Sequence, residues 1–236
     1  MGKKLEIEDL MNFVAVSEPQ LSPGMDKIAY VTVKADGKRD DYDSTIWVVN
    51  RSDGAPVMFL SGGKDRHPRW SPDGRQLLFV SERRVKEGER GNSLWVSPVY
   101  GVEPRLVLRM ESGVEQPQWS ADGKKIVFIS NVGEPEKDLK VVDRIPLWSD
   151  AAGFTYHRRK HLHVVDVSSG VVTRLTEGEV DVICFAPSNK GLRIAYATSY
   201  DDLNPQLMDI NILDSDKDEN VRAVRGFTVA SICWSP

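Results

Sequence analysis

The chain has 236 residues, with 31 Lys and Arg against 35 Asp and Glu for a formal net charge of −4, and 40% of its residues are apolar. That length suffices for one or two cores, and that composition excludes a disordered, collagen-like or membrane-spanning chain. No basic excess points to nucleic acid, and Glu6, Glu8 and Asp9 fall where a signal peptide needs an unbroken apolar run, so the expectation is a cytoplasmic protein that binds neither nucleic acid nor membrane.

The first predicted element is a short N-terminal helix over residues 7–13, with apolar residues at 7, 10, 11, 13 and 14 and with Glu8 and Asp9 favouring the helix dipole in its first turn. A repeat follows. Pro68-Arg69-Trp70-Ser71-Pro72-Asp73-Gly74 returns as Pro117-Gln118-Trp119-Ser120-Ala121-Asp122-Gly123, with a weaker copy at Pro19-Gln20-Leu21-Ser22-Pro23-Gly24 and two further ones ending at Pro187 and Pro236. The large apolar residues Leu21, Trp70, Trp119, Phe185 and Trp234 are spaced by 49, 49, 66 and 49 residues, so three intervals agree and one carries an insertion of 17.

Each copy predicts a hairpin. The apolar residue ends one strand, Ser-Pro-Asp makes a type I turn, and Gly takes the left-handed position after it. Second strands begin at once, at Lys27-Ile28-Ala29-Tyr30-Val31, Gln76-Leu77-Leu78-Phe79-Val80, Lys125-Ile126-Val127-Phe128-Ile129 and Arg193-Ile194-Ala195-Tyr196-Ala197. They are nearly continuous apolar runs suited to strands covered on both faces. Third strands are expected at Ile46-Trp47-Val48-Val49, Leu94-Trp95-Val96, Leu162-His163-Val164-Val165 and near Leu207-Met208-Asp209-Ile210, and fourth strands at 54–60, 101–108 and 170–176. In the fourth repeat the turn Ser188-Asn189-Lys190-Gly191 is expected to carry two extra residues.

Four strands in about 49 residues, repeated, is the pattern of β-propeller blades. The fold expected is all-β, an incomplete β-propeller of four-stranded blades. Residues 1–16 form an N-terminal segment, the blades lie near 17–66, 67–115, 116–181 and 182–230, and a fifth begins at 231–236. The sequence is expected to stop inside this repeat, and a separate molecule with uncovered blades is expected to be marginally stable.

Five of the six tryptophans, Trp47, Trp70, Trp95, Trp119 and Trp234, hold repeat-equivalent places and are expected to pack between blades. Trp148 lies in the insertion and stands open to a surface or substrate contact as well as to packing. Cys184 and Cys233 occupy one slot in successive blades, too far apart for a disulfide, and are expected to be buried free thiols. His161 and His163 share one face of a strand, with His157 nearby; that is the geometry of a metal pair, but no carboxylate or cysteine at ligand spacing completes it, and packing is the competing reading. No metal or cofactor is expected. The chain contains no Gly-x-Ser-x-Gly, no P-loop, no dinucleotide fingerprint and no His-Glu-x-x-His. The charged loops at 36–43 and 82–90 are expected to be solvated blade connections.

Two stretches carry a family resemblance. Glu8-Asp9-Leu10 followed by Val16-Ser17-Glu18-Pro19-Gln20-Leu21-Ser22-Pro23 resembles the start of the propeller in acylaminoacyl-peptidase-like members of the prolyl oligopeptidase family. The insertion, with Arg144-Ile145-Pro146-Leu147-Trp148, Gly153-Phe154 and Arg158-Arg159-Lys160-His161-Leu162-His163-Val164-Val165-Asp166, resembles that family's third-blade segment. Gly24-Met25 in place of Asp-Gly and Ala121 in place of Pro depart from its turn pattern while keeping the hairpin length. The resemblance implies a chain that is the first part of a propeller capping a serine peptidase and limiting access to short or N-acylated peptides. The catalytic triad would lie in a C-terminal α/β-hydrolase domain outside this chain, so no catalytic residue is assigned here and the chain alone is expected to be inactive. Its partners would be short peptides and that hydrolase domain, with a homo-oligomer left open. Arg144, Trp148, Arg158 and Arg159 are the candidate substrate-access or domain-interface residues, since arginine holds carboxylates by bidentate hydrogen bonds and loops on scaffolds often carry function. The alternative is a non-catalytic propeller of the Tol or WD type that binds proteins. A polysaccharide lyase would want a metal-binding histidine constellation that the sequence does not supply.

Overall fold

The computed structural model describes residues 4, 6–38, 40–61, 64–83, 91–100, 103–133, 148–149, 153–154, 158–201, 204–215, 217 and 219–235. The chain opens with a 3-10 helix, Ile7–Asn12, rather than an α-helix. Its bonds run three residues back, from Asp9 N to Glu6 O (3.1 Å) and from Phe13 N to Leu10 O (3.3 Å), and six residues suit that tighter winding. Asp9 does cap it, accepting from Glu6 N at 3.0 Å.

Four antiparallel meanders follow. The first is β1 (Val14–Leu21), β2 (Lys27–Asp36), β3 (Asp41–Asn50) and β4 (Pro56–Leu60); the second is β5 (Arg66–Trp70), β6 (Gln76–Ser81), β7 (Asn92–Pro98) and β8 (Arg105–Met110). The third sheet joins β9 (Glu115–Trp119) and β10 (Lys125–Val132) to β13 (Arg159–Asp166) and β14 (Val172–Arg174), with the two-stranded ribbon β11 (Trp148–Ser149) and β12 (Gly153–Phe154) set in its long connection. The fourth is β15 (Asp181–Pro187), β16 (Arg193–Ser199), β17 (Met208–Asp214) and β18 (Glu219–Phe227). The first two sheets lie in one compact unit, Met1–Glu111, and the last two in another, Ser112–Pro236. These are the four-stranded blades the repeat implies. Residues 231–235 pair with no strand among the described residues.

The turns explain the motif. Gly74 N donates to Ser71 O (2.8 Å) and Gly74 sits at φ +69°, where an L-residue is strained. The Asp73 carboxylate accepts from Ser71 Oγ (2.6 Å) and Arg75 N (3.0 Å), and these bonds hold its pKa below the usual carboxylate value. Ser120, Asp122 and Lys124 repeat the arrangement. In the first blade the left-handed position falls on Met25 (φ +55°), and the carboxylate comes from Asp26 instead. The fourth blade corrects an expectation. Its turn is the same six residues long, closed by Ser188 N to Arg193 O (2.7 Å) as Ser71 N closes on Gln76 O (2.9 Å), with Gly191 at φ +64°. The two extra residues instead lengthen the hairpin, where Ala186 and Pro187 pair with Ala195 and Ile194.

Within each unit adjacent blades share a core. Ala29, Val31 and Ile46 of the first blade meet Trp70, Leu77, Phe79 and Trp95 of the second. Val127, Ile129, Leu162 and Val164 of the third meet Val182, Phe185, Ile194, Tyr196 and Leu213 of the fourth. Each wholly buried member, such as Phe79 or Leu162, contributes about 1.5–3 kcal/mol. Trp70 also donates through Nε1 to Gln20 O of the preceding blade (3.0 Å), and Trp234 does the same to Ala186 O (2.9 Å). Trp47 instead bonds within its own blade, to Thr32 Oγ1 (2.8 Å).

A feature the sequence reading missed recurs in the first strands. Glu18, His67 and Gln116, each directly before a proline and 49 residues apart, take φ values of +53°, +55° and +49° at register shifts in the ladder. These are β-bulges, in which one residue is left without a cross-strand partner. The fourth blade has its shift between Val182 and Cys184, without a proline. That shift puts Val182 and Phe185 into the core and leaves Cys184 half-buried, while Cys233 is exposed; both thiols are free, but neither is buried as expected.

Candidate substrate-access site

The end of each blade opposite the Ser-Pro-Asp-Gly turn carries the connection between second and third strands, and in the third blade Arg158 and Arg159 lie where that connection enters β13. In the Ser112–Pro236 unit, Arg159 begins β13 and is buried, with Nη1 3.0 Å from Asp181 Oδ2 and Nε 3.4 Å from Glu179 Oε2. Asp181 also accepts from Lys160 N (2.8 Å), and Lys160 Nζ lies 2.7 Å from Glu115. Arg159 thus ties the third blade to the fourth. Arg158 is half-buried, and its Nε has no hydrogen-bond partner among the described residues. Trp148 lies in the β11–β12 ribbon, where it pairs with Phe154. Arg144 and His157 fall outside the described residues.

The two histidines on β13 are both used in packing. Leu162 N donates to Thr176 Oγ1 (3.0 Å), so the threonine hydroxyl is free to donate to His161 Nδ1 (3.2 Å). His163 Nδ1 donates to His161 O (3.0 Å), and its ring stacks on Phe128 with centroids 5.5 Å apart. Burial pushes both imidazoles below their ordinary pKa, with Arg174 adding to the effect, so both are neutral at pH 7. Among the described residues no group of three or more His, Cys, Asp or Glu is placed to hold a metal ion. On the fourth blade, Thr198, Tyr200, Asp209, Asn211, Asn220, Arg222 and Arg225 with Val180 line a cleft of about 380 Å³. Asp209 there is held by Arg222 Nη1 (3.2 Å) and Gly226 N (3.2 Å), and the Arg225 guanidinium lies 6.0 Å above the Tyr200 ring.

The Met1–Glu111 unit holds a second charged cluster. Asp65, directly before β5, is wholly buried, and Arg83 Nη2 lies 2.6 Å from its Oδ2. Burial raises the Asp65 pKa, while Ser81 and Arg83 pull it down. Arg83 Nε and backbone N both donate to Ser81 Oγ at 3.1 Å, and its guanidinium lies 5.1 Å from the Phe79 ring centre and 5.6 Å from that of Trp95. Glu82 is shared by Lys64 (3.4 Å) and Arg66 (3.1 Å), and Lys64 also reaches Asp41 (2.5 Å). Glu82 and Arg83 were read only as part of a solvated loop. The missed signal was Asp65 itself, since Val16 and Val114 stand 49 residues either side of it in otherwise equivalent places.

Fold and repeat together define a β-propeller segment. Comparison with protein-family models finds no match. In sequence the chain is 31% identical over 207 residues to the uncharacterized peptidase YuxL of Bacillus subtilis strain 168, a match covering 81% of this chain and 31% of that protein. In structure it is similar to the acylaminoacyl peptidase of Pyrococcus horikoshii, at TM-score 0.75 and 19% identity over 95% of this chain and 34% of that one. The β-propeller domain of the trilobed protease from Pyrococcus furiosus is similar at TM-score 0.61 and 19% identity, over 94% of this chain and 61% of that one. The resemblance to acylaminoacyl-peptidase-like propellers is borne out, and the chain spans about a third of the length of the curated relative it matches. Among the described residues no helix is long and apolar enough to cross a membrane.

Proposed function

We propose that this chain is the propeller part of a serine peptidase of the acylaminoacyl-peptidase or prolyl oligopeptidase type, capping the active site and admitting short or N-acylated peptides. The observation that carries this reading is the 31% identity to a peptidase over most of the chain, on a fold similar to that of an acylaminoacyl peptidase. Hydrolysis would belong to residues outside the chain, which itself holds no nucleophile motif. The propeller would act by steric selection and by positioning, so its residues bear on binding rather than on bond cleavage. The setting we propose is the cytoplasm, with the hydrolase domain as the principal partner.

Arg144, Trp148 and Arg158 are the residues of the insertion that would meet a peptide oxygen or an acid of the hydrolase domain, and Arg158 is half-buried with a buried Nε that has no partner among the described residues. Arg159, committed to Asp181 and Glu179, would hold the base of that insertion in place. The test is the longer polypeptide assayed on a ladder of N-acylated peptides. Arg158→Ala should raise KM or shift the length preference with kcat little changed. Unchanged kinetics across the ladder would remove the insertion from substrate access, and a longer polypeptide that cleaves no peptide would overturn the peptidase reading. No observation favours the protein-binding scaffold.

A further inference from the structure

We propose that Arg83 is a preorganised donor site for an sp2 oxygen of a short peptide, either a backbone carbonyl or a terminal carboxylate; this deepens the peptidase reading and rests on it. Three anchors fix the guanidinium. Ser81 Oγ holds Nε, buried Asp65 holds Nη2, and the rings of Phe79 and Trp95 lie beside it. Nη1 has no partner among the described residues, and the side chain keeps 19% of its surface exposed. An arginine whose fork is already ordered loses little freedom when it binds, which is the condition for a specific contact rather than a loose one.

The repeat serves as an internal control on what the fold itself requires. Two sister blades put valine in the Asp65 place, at Val16 and Val114, and the chain positions 49 residues either side of Arg83 are Lys34 and Val132. The blade therefore forms without this pair. Burying a carboxylate costs more than burying a valine, so the second blade carries an expense that packing does not call for. Among the described residues the neighbouring charges balance, with Lys64 and Arg66 on Glu82 and Asp41, so these residues offer a directed donor rather than a broad cationic field. That favours the oxygen of a peptide over a polyanion.

The test uses the 236-residue chain with N-acetyl-dialanine and its C-terminal amide, each titrated by calorimetry and by the 15N shifts of arginine side chains. Wild type should bind at least one of the two with a shift at Arg83; the carboxylate binding more tightly assigns a terminus, and equal binding assigns a backbone carbonyl. Arg83→Met should weaken binding about tenfold or more, as loss of a charge-assisted hydrogen bond does. Asp65→Asn, nearly isosteric, should weaken it severalfold while circular dichroism stays unchanged, and it serves if Arg83→Met does not fold. Binding of neither peptide, or affinities untouched by Asp65→Asn, would overturn the inference. Because binding is read on the chain alone, peptide hydrolysis by the longer polypeptide without an Arg83 effect sinks only this proposal, whereas binding without hydrolysis sinks only the peptidase reading.

Discussion

The Asp65–Arg83 pair lends itself to a thermodynamic cycle whose outcome the geometry fixes. Losing one partner of a buried ion pair costs about 3–5 kcal/mol, while replacing both by apolar groups is close to neutral. Arg83→Met leaves a wholly buried carboxylate unpaired and belongs at the upper end of that range. Asp65→Val leaves a guanidinium that still has an exposed edge and two ring neighbours, the latter worth about 0.5–2 kcal/mol, so its cost sits at the lower end. The double variant should fall within about 1 kcal/mol of wild type. Urea unfolding followed by circular dichroism measures all four proteins. A pH comparison sharpens the test. With Arg83 gone, the Asp65 carboxyl keeps its burial and loses a lowering partner, so its folded pKa lies further above the unfolded value. A raised folded value means stability is lost as pH rises through the gap, and Arg83→Met should be less impaired at pH 5 than at pH 8. Additive single costs, or a deficit independent of pH, would refute the reasoning.

Other consequences are simpler to check. Alanine at Gly74 or Gly123, both in the left-handed region, should each cost about 1 kcal/mol and lower Tm by about 2–4 °C, whereas Met25→Ala, at a position already bearing an L-residue, should change Tm little; equal shifts at all three would contradict the turn assignment. His161 and His163 have folded pKa values below the ordinary 6.5, so their contribution is complete above that value and is lost as pH falls below it, by up to about 1.4 kcal/mol per pH unit for each. Replacing them, as His161→Gln with His163→Phe, should flatten the loss of stability between pH 7 and pH 5; an unaltered slope would show that neither ring is held neutral.

The repeat made most of the architecture legible, because a turn that needs glycine after Ser-Pro-Asp leaves a mark that spacing can count. Second and third strands read well for the same reason: Leu77 to Val80 and Ile126 to Ile129 are apolar at every position because both faces are covered. What spacing could not reveal was where extra residues go. Ala186 and Pro187 could enter a turn or lengthen a hairpin with the same sequence interval, and only the ladder decides. The cysteines failed similarly, since the shift beside Cys184 exchanges which neighbours face the core. The insertion stood out by its length, and Arg158 and Arg159 fall where it enters β13. Arg83 escaped notice because a charged loop hides one arginine among many, whereas its partner Asp65 was visible all along as the acid between two valines in register.

The left-handed residues before proline have a bearing on how such a chain can change. At Glu18, His67 and Gln116 the strand holds a residue that the neighbouring strand does not read, so the ladder is indifferent to what is placed there. The three positions have accordingly diverged into an acid, an imidazole and an amide. All three now join adjacent blades, His67 Nδ1 lying 3.0 Å from Glu18 and Gln116 Nε2 donating to Ile183 O at 3.1 Å. One letter in each repeat is thereby released from the grammar of the sheet, and a lineage of blades can rewrite it without losing the sentence.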